Sequence, residues 1–287
     1  MVGSESLIVD KRTVRMKIYV LVDNTDGHGL KGEWGLSFYI EYNDRTVLLD
    51  AGLSPLFADN AEKMGLDINK VDYAVLSHAH DDHANGLERF FELNDHAMLY
   101  VAEGCAENCY DREGLLFRYA GIPRGIMSRH ADRIIRADAD MMIADGIRLL
   151  GHTTPGLEKL GRMEKMYLKQ GLMRYIPDDF RHEQSLVFDM DDGVAIFNSC
   201  SHAGADNIIN EVAEVYPGKR IVAMIGGFHL FNKSDEYVRA FAQRLEAAGA
   251  VDIYTGHCTG QKAWDILHDE LGDKVHALST GLVFELQ

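Results

Sequence analysis

Residues 77–83 read Ser-His-Ala-His-Asp-Asp-His and directly follow a short apolar run that is typical of a strand. Three imidazoles and two carboxylates fall within six of these residues. His78 and His80 are two residues apart, so in extended or tightly turned backbone their side chains face the same way. Asp82 and His83 can then turn toward a neighbouring point about 3.5–4 Å away, which is the separation of paired metal ions in enzymes. The segment therefore predicts two cations held side by side.

The ligand types narrow the choice of metal without identifying it. Neutral imidazole and carboxylate both bind zinc, iron and manganese, and ligand type alone does not separate first-row divalent ions. We expect two divalent metal ions. Zinc is the first choice, and iron and manganese are the alternatives. The competing interpretation is a solvated polar loop, but three clustered histidines without a metal or a charged partner have no evident benefit.

Composition indicates an ordinary globular protein. The chain has 287 residues, of which 46% are hydrophobic and 26% charged, with only five prolines and no repeat or linker-like tract. We therefore expect one domain over 1–287, with residues 1–14 as a flexible start.

The most apolar window, 221–231, is too short to span a bilayer, which needs about 20 residues. The first residues lack the apolar core of a secretory signal, so a cytoplasmic location is expected.

Net charge limits the partners. Twenty-nine Lys and Arg against 45 Asp and Glu leave a formal charge of −16, which repels a phosphate backbone and argues against nucleic-acid binding. No membrane partner is predicted either, and assembly into a homo-oligomer stays open. The four cysteines are too few for a disulfide framework and are expected as reduced thiols. The remaining expectation is a small-molecule substrate.

Hydrophobic periodicity predicts strands in the first part of the chain and alternating strands and helices in the second. Residues 16–22 and 36–42 alternate apolar and polar positions, and a third apolar run follows. Ser54-Pro55 marks the start of a helix over 55–64. The pattern indicates a layered α/β domain in which two sheets pack together under covering helices. Further strands are predicted at 73–76, 97–102, 184–190, 194–199, 220–225 and 251–255, and further helices at 205–215, 235–248 and 261–271.

The histidine segment, written HxHxDH, resembles the central motif of the metallo-β-lactamase superfamily. Val47-Leu48-Leu49-Asp50-Ala51-Gly52 resembles that family's strand-Asp-x-Gly element, whose Asp orients the metal-binding loop. Ser199-Cys200-Ser201-His202 and the segment 254–260 each place a His directly after an apolar strand, as the family's later ligand elements do. The resemblance implies an α/β fold, the αββα sandwich of two mixed β-sheets flanked by helices.

Four shorter stretches resemble one branch of this superfamily, the branch that contains the dihydropterin-6-methyl-ribofuranosylaminobenzene-phosphate synthases. The resemblance extends from about Arg15 to Leu286. The stretches are WGLSFYI at 34–40, NSCSHAGADNII at 198–209, IGGFHL at 225–230 and GHCTG at 256–260. The resemblance implies two metal sites, the first formed by His78, His80 and His202 and the second by Asp82, His83 and His257.

Two positions depart from the superfamily's pattern. Gly151-His152-Thr153-Thr154-Pro155-Gly156 resembles the GHTPG element in which many members place a ligand, so His152 competes with His202 for the first site. The 27 residues from 157 to 183 form a longer connection than usual, which favours His202. Where the usual bridging Asp stands, this chain has Cys200, whose thiolate either binds a soft metal or simply packs.

The stretch 157–183 is interpreted as an insert or lid. Six of the 29 cationic residues fall within it, which suits contact with an anionic substrate. A solvated helical face is the competing interpretation. Cys105 and Cys109, four residues apart, are interpreted as packing residues of a helix. The six cationic residues are Lys159, Arg162, Lys165, Lys169, Arg174 and Arg181.

Hydrolysis is the expected chemistry. A metal ion with an open position lowers the pKa of bound water toward about 7. We therefore expect a metal-dependent hydrolase that uses a metal-bound hydroxide on a small anionic substrate such as a phosphorylated molecule. Asp82 is the candidate acceptor for the proton of the attacking water, and His229, which follows another strand, is the candidate donor to the leaving group.

Two other functions stay open. The resemblance to the synthase branch implies a metal-dependent transferase that condenses a dihydropterin diphosphate with an aromatic acceptor. A third hypothesis is non-catalytic and gives the metals a structural or sensing role.

Overall fold

The computed structural model describes residues 16–286, so the expected flexible start at 1–14 lies outside the described residues. Eighteen strands follow one another in these residues: β1 (Met16–Val22), β2 (Ser37–Tyr42), β3 (Arg45–Leu49), β4 (Tyr73–Val75), β5 (Met98–Ala102), β6 (Cys109–Glu113), β7 (Leu116–Tyr119), β8 (Ile134–Ala137), β9 (Asp140–Ala144), β10 (Ile147–Gly151), β11 (Met166–Gln170), β12 (Arg174–Pro177), β13 (Gln184–Met190), β14 (Gly193–Phe197), β15 (Ile221–Gly226), β16 (Asp252–Thr255), β17 (Val275–Ala277) and β18 (Val283–Leu286). Eight α-helices lie between them: α1 (Leu56–Lys63), α2 (Asp81–Ala84), α3 (Leu87–Leu93), α4 (Ile126–Arg129), α5 (Leu157–Glu164), α6 (Ala205–Val215), α7 (Asp235–Ala248) and α8 (Gln261–Leu271).

Fourteen of these strands form two seven-stranded mixed sheets. The first sheet has the order β18-β1-β2-β3-β4-β5-β8, and the second has the order β17-β16-β15-β14-β13-β10-β9. In the first sheet the pairs from β18 to β3 are antiparallel and those from β3 to β8 are parallel. In the second sheet the pairs from β9 to β14 are antiparallel and those from β14 to β17 are parallel. Loops that carry functional side chains commonly leave the carboxyl ends of such parallel strands.

Apolar side chains fill three layers between and outside the two sheets. Phe38 of the first sheet contacts Phe197 of the second, with ring centroids 5.7 Å apart, inside the layer between the sheets. A second layer packs α1 and α3 on the outside of the first sheet. A third packs α6, α7 and α8 on the outside of the second sheet. The predicted αββα sandwich of two mixed sheets flanked by helices is therefore confirmed.

Local signals explain where the best predicted elements begin and end. The side chain of Ser234 accepts a hydrogen bond from the Tyr237 amide at the start of α7, and Gly249 ends that helix with a left-handed φ of 88°. The helices α6, α7 and α8 have the predicted bounds. The helix predicted over 55–64 begins one residue later, at Leu56.

A third sheet, with the order β12-β11-β6-β7, was not predicted. It joins the hairpin β6–β7 to the hairpin β11–β12 of the predicted insert through the antiparallel pair β11 and β6. The prediction of a helix containing Cys105 and Cys109 is wrong, because Cys109 begins β6 and Cys105 lies outside any helix. Both thiols are buried in the apolar layer beneath the first sheet's helices, so they do pack in the core.

No helix among residues 16–286 is both long enough and apolar enough to cross a membrane.

Candidate metal centre

The candidate residues lie on loops that follow strands of both sheets. The segment 78–83 follows β4 of the first sheet, whereas His202, His229 and His257 follow β14, β15 and β16 of the second. All four strands have a parallel neighbour. Contacts between loops show that they converge, because His83 Nε2 lies 3.2 Å from His257 Nε2. The sandwich thus brings residues that are distant in sequence to one end of the two sheets.

The first trio consists of His78, His80 and His202. Their ring centroids are 4.6 Å apart for His78 and His80, 4.9 Å for His80 and His202, and 5.0 Å for His78 and His202. The Nε2 atoms of His78 and His202 are buried and have no hydrogen-bond partner among the described residues. An unsatisfied buried polar atom costs about 1–3 kcal/mol, and coordination of a metal ion would satisfy both nitrogens.

The second trio consists of Asp82, His83 and His257. Asp82 Oδ2 lies 3.7 Å from His83 Nε2 and 3.4 Å from His257 Nε2, and the two nitrogens are 3.2 Å apart. Donor atoms on a tetrahedral ion with metal–ligand distances of about 2.0–2.1 Å lie about 3.3–3.4 Å from each other. The donor set and its spacing therefore fit one divalent ion.

Asp50 supports the loop that carries two members of each trio. Its Oδ1 accepts a 2.7 Å hydrogen bond from the Ser77 amide, and its Oδ2 accepts bonds from Ser77 Oγ at 2.7 Å and from His83 Nδ1 at 2.9 Å. Because Nδ1 of His83 donates to the carboxylate, its Nε2 is left free to bind a cation. Asp50 itself adopts a left-handed φ of 60°, an uncommon backbone conformation that functional sites often retain.

Other supporting residues were not predicted from the sequence. Asn24 Oδ1 accepts a 2.9 Å hydrogen bond from His257 Nδ1, which directs the His257 Nε2 toward the centre. The carboxylate of Glu183 accepts bonds from the backbone amides of His202 and Ala203 at 2.8 and 2.9 Å. These contacts fix the two later loops, but Asn24 and His257 are 233 residues apart. No local motif marks such a pair.

His182 supports the histidine loop. Its Nδ1 accepts a 3.2 Å hydrogen bond from the Ala79 amide, and its Nε2 donates to Asp178 Oδ2 at 3.0 Å. Donor atoms of His80, Cys109, Asp178 and His182 also lie within 4.8 Å of one another. The His80 ring thus contacts both the other two rings of the first trio and this buried polar group.

The surroundings of the first trio keep its imidazoles neutral. Burial lowers the pKa of His78 and of His202 well below its ordinary value, and the neighbouring imidazoles lower it further. Burial and the nearby His182 lower the pKa of His80 to about 3. Neutral imidazole is the form that binds a metal ion, so no proton has to be displaced from these rings at neutral pH.

In the second trio, the surroundings favour the charged forms of His83 and Asp82. Burial alone would lower the pKa of His83, but Asp82 and Asp50 raise it to about 9. Burial alone would raise the pKa of Asp82, but His83 and His257 hold it well below its usual range. The carboxylates therefore favour a positive charge at this point, which either a proton or a divalent ion supplies.

His152 and His202, the two rivals for the first site, occupy different surroundings. His152 Nδ1 donates a 2.9 Å hydrogen bond to Glu211 Oε2. Its Nε2 lies 3.1 Å from the side-chain nitrogen Nδ2 of Asn198. His202 instead lies among the rings of the first trio. The structure thus places His152 in a separate polar network.

His229 lies beside the first trio. Its ring centroid is 4.6 Å from that of His202, and its Nε2 forms a 3.2 Å ion pair with Glu164 Oε2 at the end of α5. Burial alone would lower its pKa, but Cys258 and Glu164 raise it to about 9. Glu164 was not singled out in the sequence, and it links α5 of the insert to His229.

A cavity of about 460 Å³ opens above the two trios. The third sheet forms part of its wall and contributes Tyr110, Arg118 and Met166. Among the described residues of 157–183, Glu164 and Met166 line this cavity and the six cationic residues do not. The cavity is lined by Trp34, Leu53, His80, Asp81, Asp82, Tyr110, Asp111, Arg118, Ala120, Glu164, Met166, Cys200, His202, His229, Phe231, Asn232 and Cys258.

Known proteins share sequence similarity with this chain. A model described as the metallo-beta-lactamase superfamily matches residues 35–159. The 7,8-dihydropterin-6-methyl-4-(beta-D-ribofuranosyl)-aminobenzene-5'-phosphate synthase of Methanocaldococcus jannaschii is 24% identical over 298 residues, which cover 94% of this chain and 96% of that protein.

Solved structures extend the likeness to the whole fold. Tm1679, described as a metal-dependent hydrolase of the beta-lactamase superfamily, has a TM-score of 0.78 and 28% identity over 95% of this chain and 99% of that one. Zn²⁺-bound PqqB from Methylobacterium extorquens has a TM-score of 0.56 and 11% identity, over 94% and 100% of the two chains. The second likeness shows the fold alone.

Proposed function

We propose that this chain is a metal-dependent hydrolase of a small anionic substrate, in keeping with its likeness to the metallo-β-lactamase superfamily. The first trio would hold one divalent ion and the second trio another, with zinc as the preferred metal. The observation that carries the proposal is the convergence of six donor side chains, from loops of both sheets, beneath a single cavity. Because a superfamily fold alone does not fix the reaction, the chemistry is inferred from these residues.

The residues fit the ions in three respects. Unpartnered buried nitrogens in the first trio need a ligand, and imidazole binds divalent first-row ions. Distances of 3.2–3.7 Å between the donors of the second trio match a tetrahedral ion. Hydrogen bonds from Nδ1 of His83 and His257 direct the other nitrogen of each ring inward.

When bound, such ions lower the pKa of a coordinated water toward about 7 and polarise a carbonyl or phosphoryl oxygen of the substrate. The chain's own groups then move the protons. The Asp82 carboxylate lies at the cavity wall and is placed to accept the proton of the attacking water. His229 also lines the cavity, and its Nε2 is held by Glu164, so its Nδ1 is the nitrogen left to donate to the leaving group.

The cavity favours a small anion that carries an apolar or planar part. Two divalent ions would add four positive charges to a wall that otherwise contains Asp81, Asp111 and Glu164 beside Arg118. Trp34 and Phe231 at the cavity are about half exposed and contact each other with ring centroids 5.7 Å apart. Their free faces would pack on the apolar part of a substrate.

The test uses protein loaded with zinc and, separately, with manganese. Hydrolysis of p-nitrophenyl phosphate, bis(p-nitrophenyl) phosphate and p-nitrophenyl acetate is measured for the wild type and for His80→Ala. The variant should lose about one ion per chain and at least about 100-fold in turnover. His96→Ala, which removes an exposed histidine outside both trios, should keep both ions and the activity. Unchanged metal content in His80→Ala would reject the ligand assignment.

A transferase is the second candidate, and one observation favours it. One relative that matches 94% of this chain is a 7,8-dihydropterin-6-methyl-4-(beta-D-ribofuranosyl)-aminobenzene-5'-phosphate synthase. Purified enzyme with a dihydropterin diphosphate, with and without the aromatic acceptor, separates the two functions. Release of diphosphate with water as the sole acceptor supports the hydrolase, and release only with the aromatic acceptor supports the transferase. The cytoplasmic location expected from the sequence stays a prediction.

A further inference from the structure

We propose that Cys200 supplies a thiolate that bridges the two metal ions and makes the centre selective for zinc over manganese. The inference rests on the dinuclear centre proposed above and adds the ligand that would join its halves. It also answers the choice that the sequence left open, in which the Cys200 thiol either binds a metal or only packs.

The position of Cys200 Sγ carries the proposal. It lies 3.3 Å from His83 Nε2, and the donor atoms of Cys200, His83 and His257 all fall within 4.8 Å of one another. The same sulfur also groups within 4.8 Å with donors of His78 and His202. Among residues 16–286, Cys200 is the member that these two groups share. A sulfur and a nitrogen on one tetrahedral ion lie about 3.5 Å apart, close to the spacing found here.

The backbone around Cys200 holds the sulfur in this place. The Ser201 amide donates a 2.6 Å hydrogen bond to Asn198 Oδ1, and Ser201 has a left-handed φ of 50°. Glu183 accepts a bond from the next amide, that of His202. The cysteine is 3% exposed and directly precedes these two held residues, so the thiol does not have to move to reach the ions.

The charges of the two trios explain what the thiolate adds. Five imidazoles and one carboxylate would face two divalent ions, which leaves three uncompensated positive charges in a buried place. On metal binding the Cys200 thiol releases its proton to solvent, and the resulting thiolate forms one bond to each ion. A thiolate is a soft ligand that prefers zinc to manganese, whereas a carboxylate at the same place would not discriminate in this way.

Cys258 is the rival thiol, since its Sγ lies 3.4 Å from that of Cys200. Cys258 also lines the cavity, and its sulfur accepts a 3.3 Å hydrogen bond from the His229 amide. It groups with Cys200 and His229 but with no member of either trio. The geometry therefore assigns the bridging position to Cys200.

The experiment is a stepwise titration of metal-free protein with Co²⁺. The thiolate-to-cobalt charge-transfer absorption is recorded after each addition. For the wild type, the absorption should grow through both equivalents, because one sulfur binds both ions. Cys200→Ala should lose the absorption and bind the second ion at least about tenfold more weakly. Cys200→Asp should restore two ions without the absorption. Cys258→Ala and Cys105→Ala, which remove neighbouring and remote thiols, should both keep the absorption.

The outcomes separate this inference from the proposed function. Absorption that persists in Cys200→Ala, or that reaches its maximum at the first equivalent, overturns the bridging role even if two ions bind. Absorption that disappears in Cys258→Ala alone assigns the ligand to the rival thiol. If the wild type binds no cobalt, the dinuclear function itself fails. A competition in which manganese displaces zinc from the wild type as well as from Cys200→Asp contradicts the selectivity.

Discussion

Replacing Asp50 by asparagine should weaken metal binding at the second trio by about 10–100-fold, or about 1.4–2.7 kcal/mol. The magnitude follows from the contacts. One carboxylate oxygen accepts from the Ser77 amide, and the other accepts from Ser77 Oγ and His83 Nδ1. An asparagine offers one acceptor oxygen and one amide group, so at least one of these donors would face another donor. The ring of His83 then loses its fixed orientation or the negative charge behind it.

Asparagine is the informative replacement because it tolerates the left-handed φ of 60° at this position. Backbone strain is therefore kept out of the result. The assay is competition for zinc with a chromophoric chelator, together with thermal unfolding of the metal-free protein. Asp72→Asn is the matched control, because Asp72 accepts a 2.8 Å hydrogen bond from the Thr46 amide at the opposite end of β4. If Asp50→Asn binds zinc as tightly as the control does, the supporting role assigned to Asp50 is refuted.

Three further predictions concern other parts of the fold. His202→Ala should lose one ion per chain, whereas His152→Ala should keep both ions and lose about 1–3 kcal/mol of unfolding free energy, because it removes a hydrogen bond to a partly buried carboxylate. Burial alone would raise the pKa of Glu211, but its bond from His152 lowers it to about 2. The stability that this carboxylate contributes is therefore present above its ordinary value of 4.5 and is lost as the pH falls toward about 2, so urea unfolding should show Glu211→Gln approaching the wild type over that range. Gly86→Ala should cost at least about 1–3 kcal/mol, since the added Cβ overlaps a backbone carbonyl, whereas Gly65→Ala, with a positive φ but open space, should cost about 1–2 kcal/mol.

Each of these predictions has an opposite result. Loss of metal in His152→Ala, with retention in His202→Ala, reverses the ligand choice. A constant stability difference between Glu211→Gln and the wild type from pH 5 to pH 2 contradicts the role of the Glu211 charge. A Gly86→Ala variant that is as stable as the wild type would show that the close approach at Gly86 carries no cost.

The sequence predicted the sandwich well where its signals are local. The helices α6, α7 and α8 have clear ends, such as Ser234 and Gly249 around α7, and their apolar faces pack on the second sheet. The third sheet could not be found in this way. Its central pair joins β6 to β11, more than fifty residues later, and its strands are only partly buried, so their side chains do not alternate clearly between apolar and polar. The spacing of Cys105 and Cys109 therefore suggested a helix that does not exist.

In the candidate site too, residues that stand in local motifs could be predicted, and residues that act through tertiary contacts could not. The ligand-type residues stand in short motifs, so they could be selected from the sequence, and the structure brings both trios beneath one cavity. The residues that orient them could not be selected. Asn24, Glu183 and Glu164 act through contacts that only the tertiary fold creates, and an isolated Asn or Glu carries no signal of such a contact. The cationic residues of 157–183 show the opposite. They form a clear pattern in the sequence, but none of them lines the cavity.

Metal stoichiometry is the decisive measurement. Elemental analysis of the full chain, purified without added metal and again after dialysis against zinc, should give two divalent ions per chain. His80→Ala should give about one. If the wild type holds less than one ion per chain even after dialysis against zinc, the two trios are not ligand sets and the proposed enzyme is contradicted.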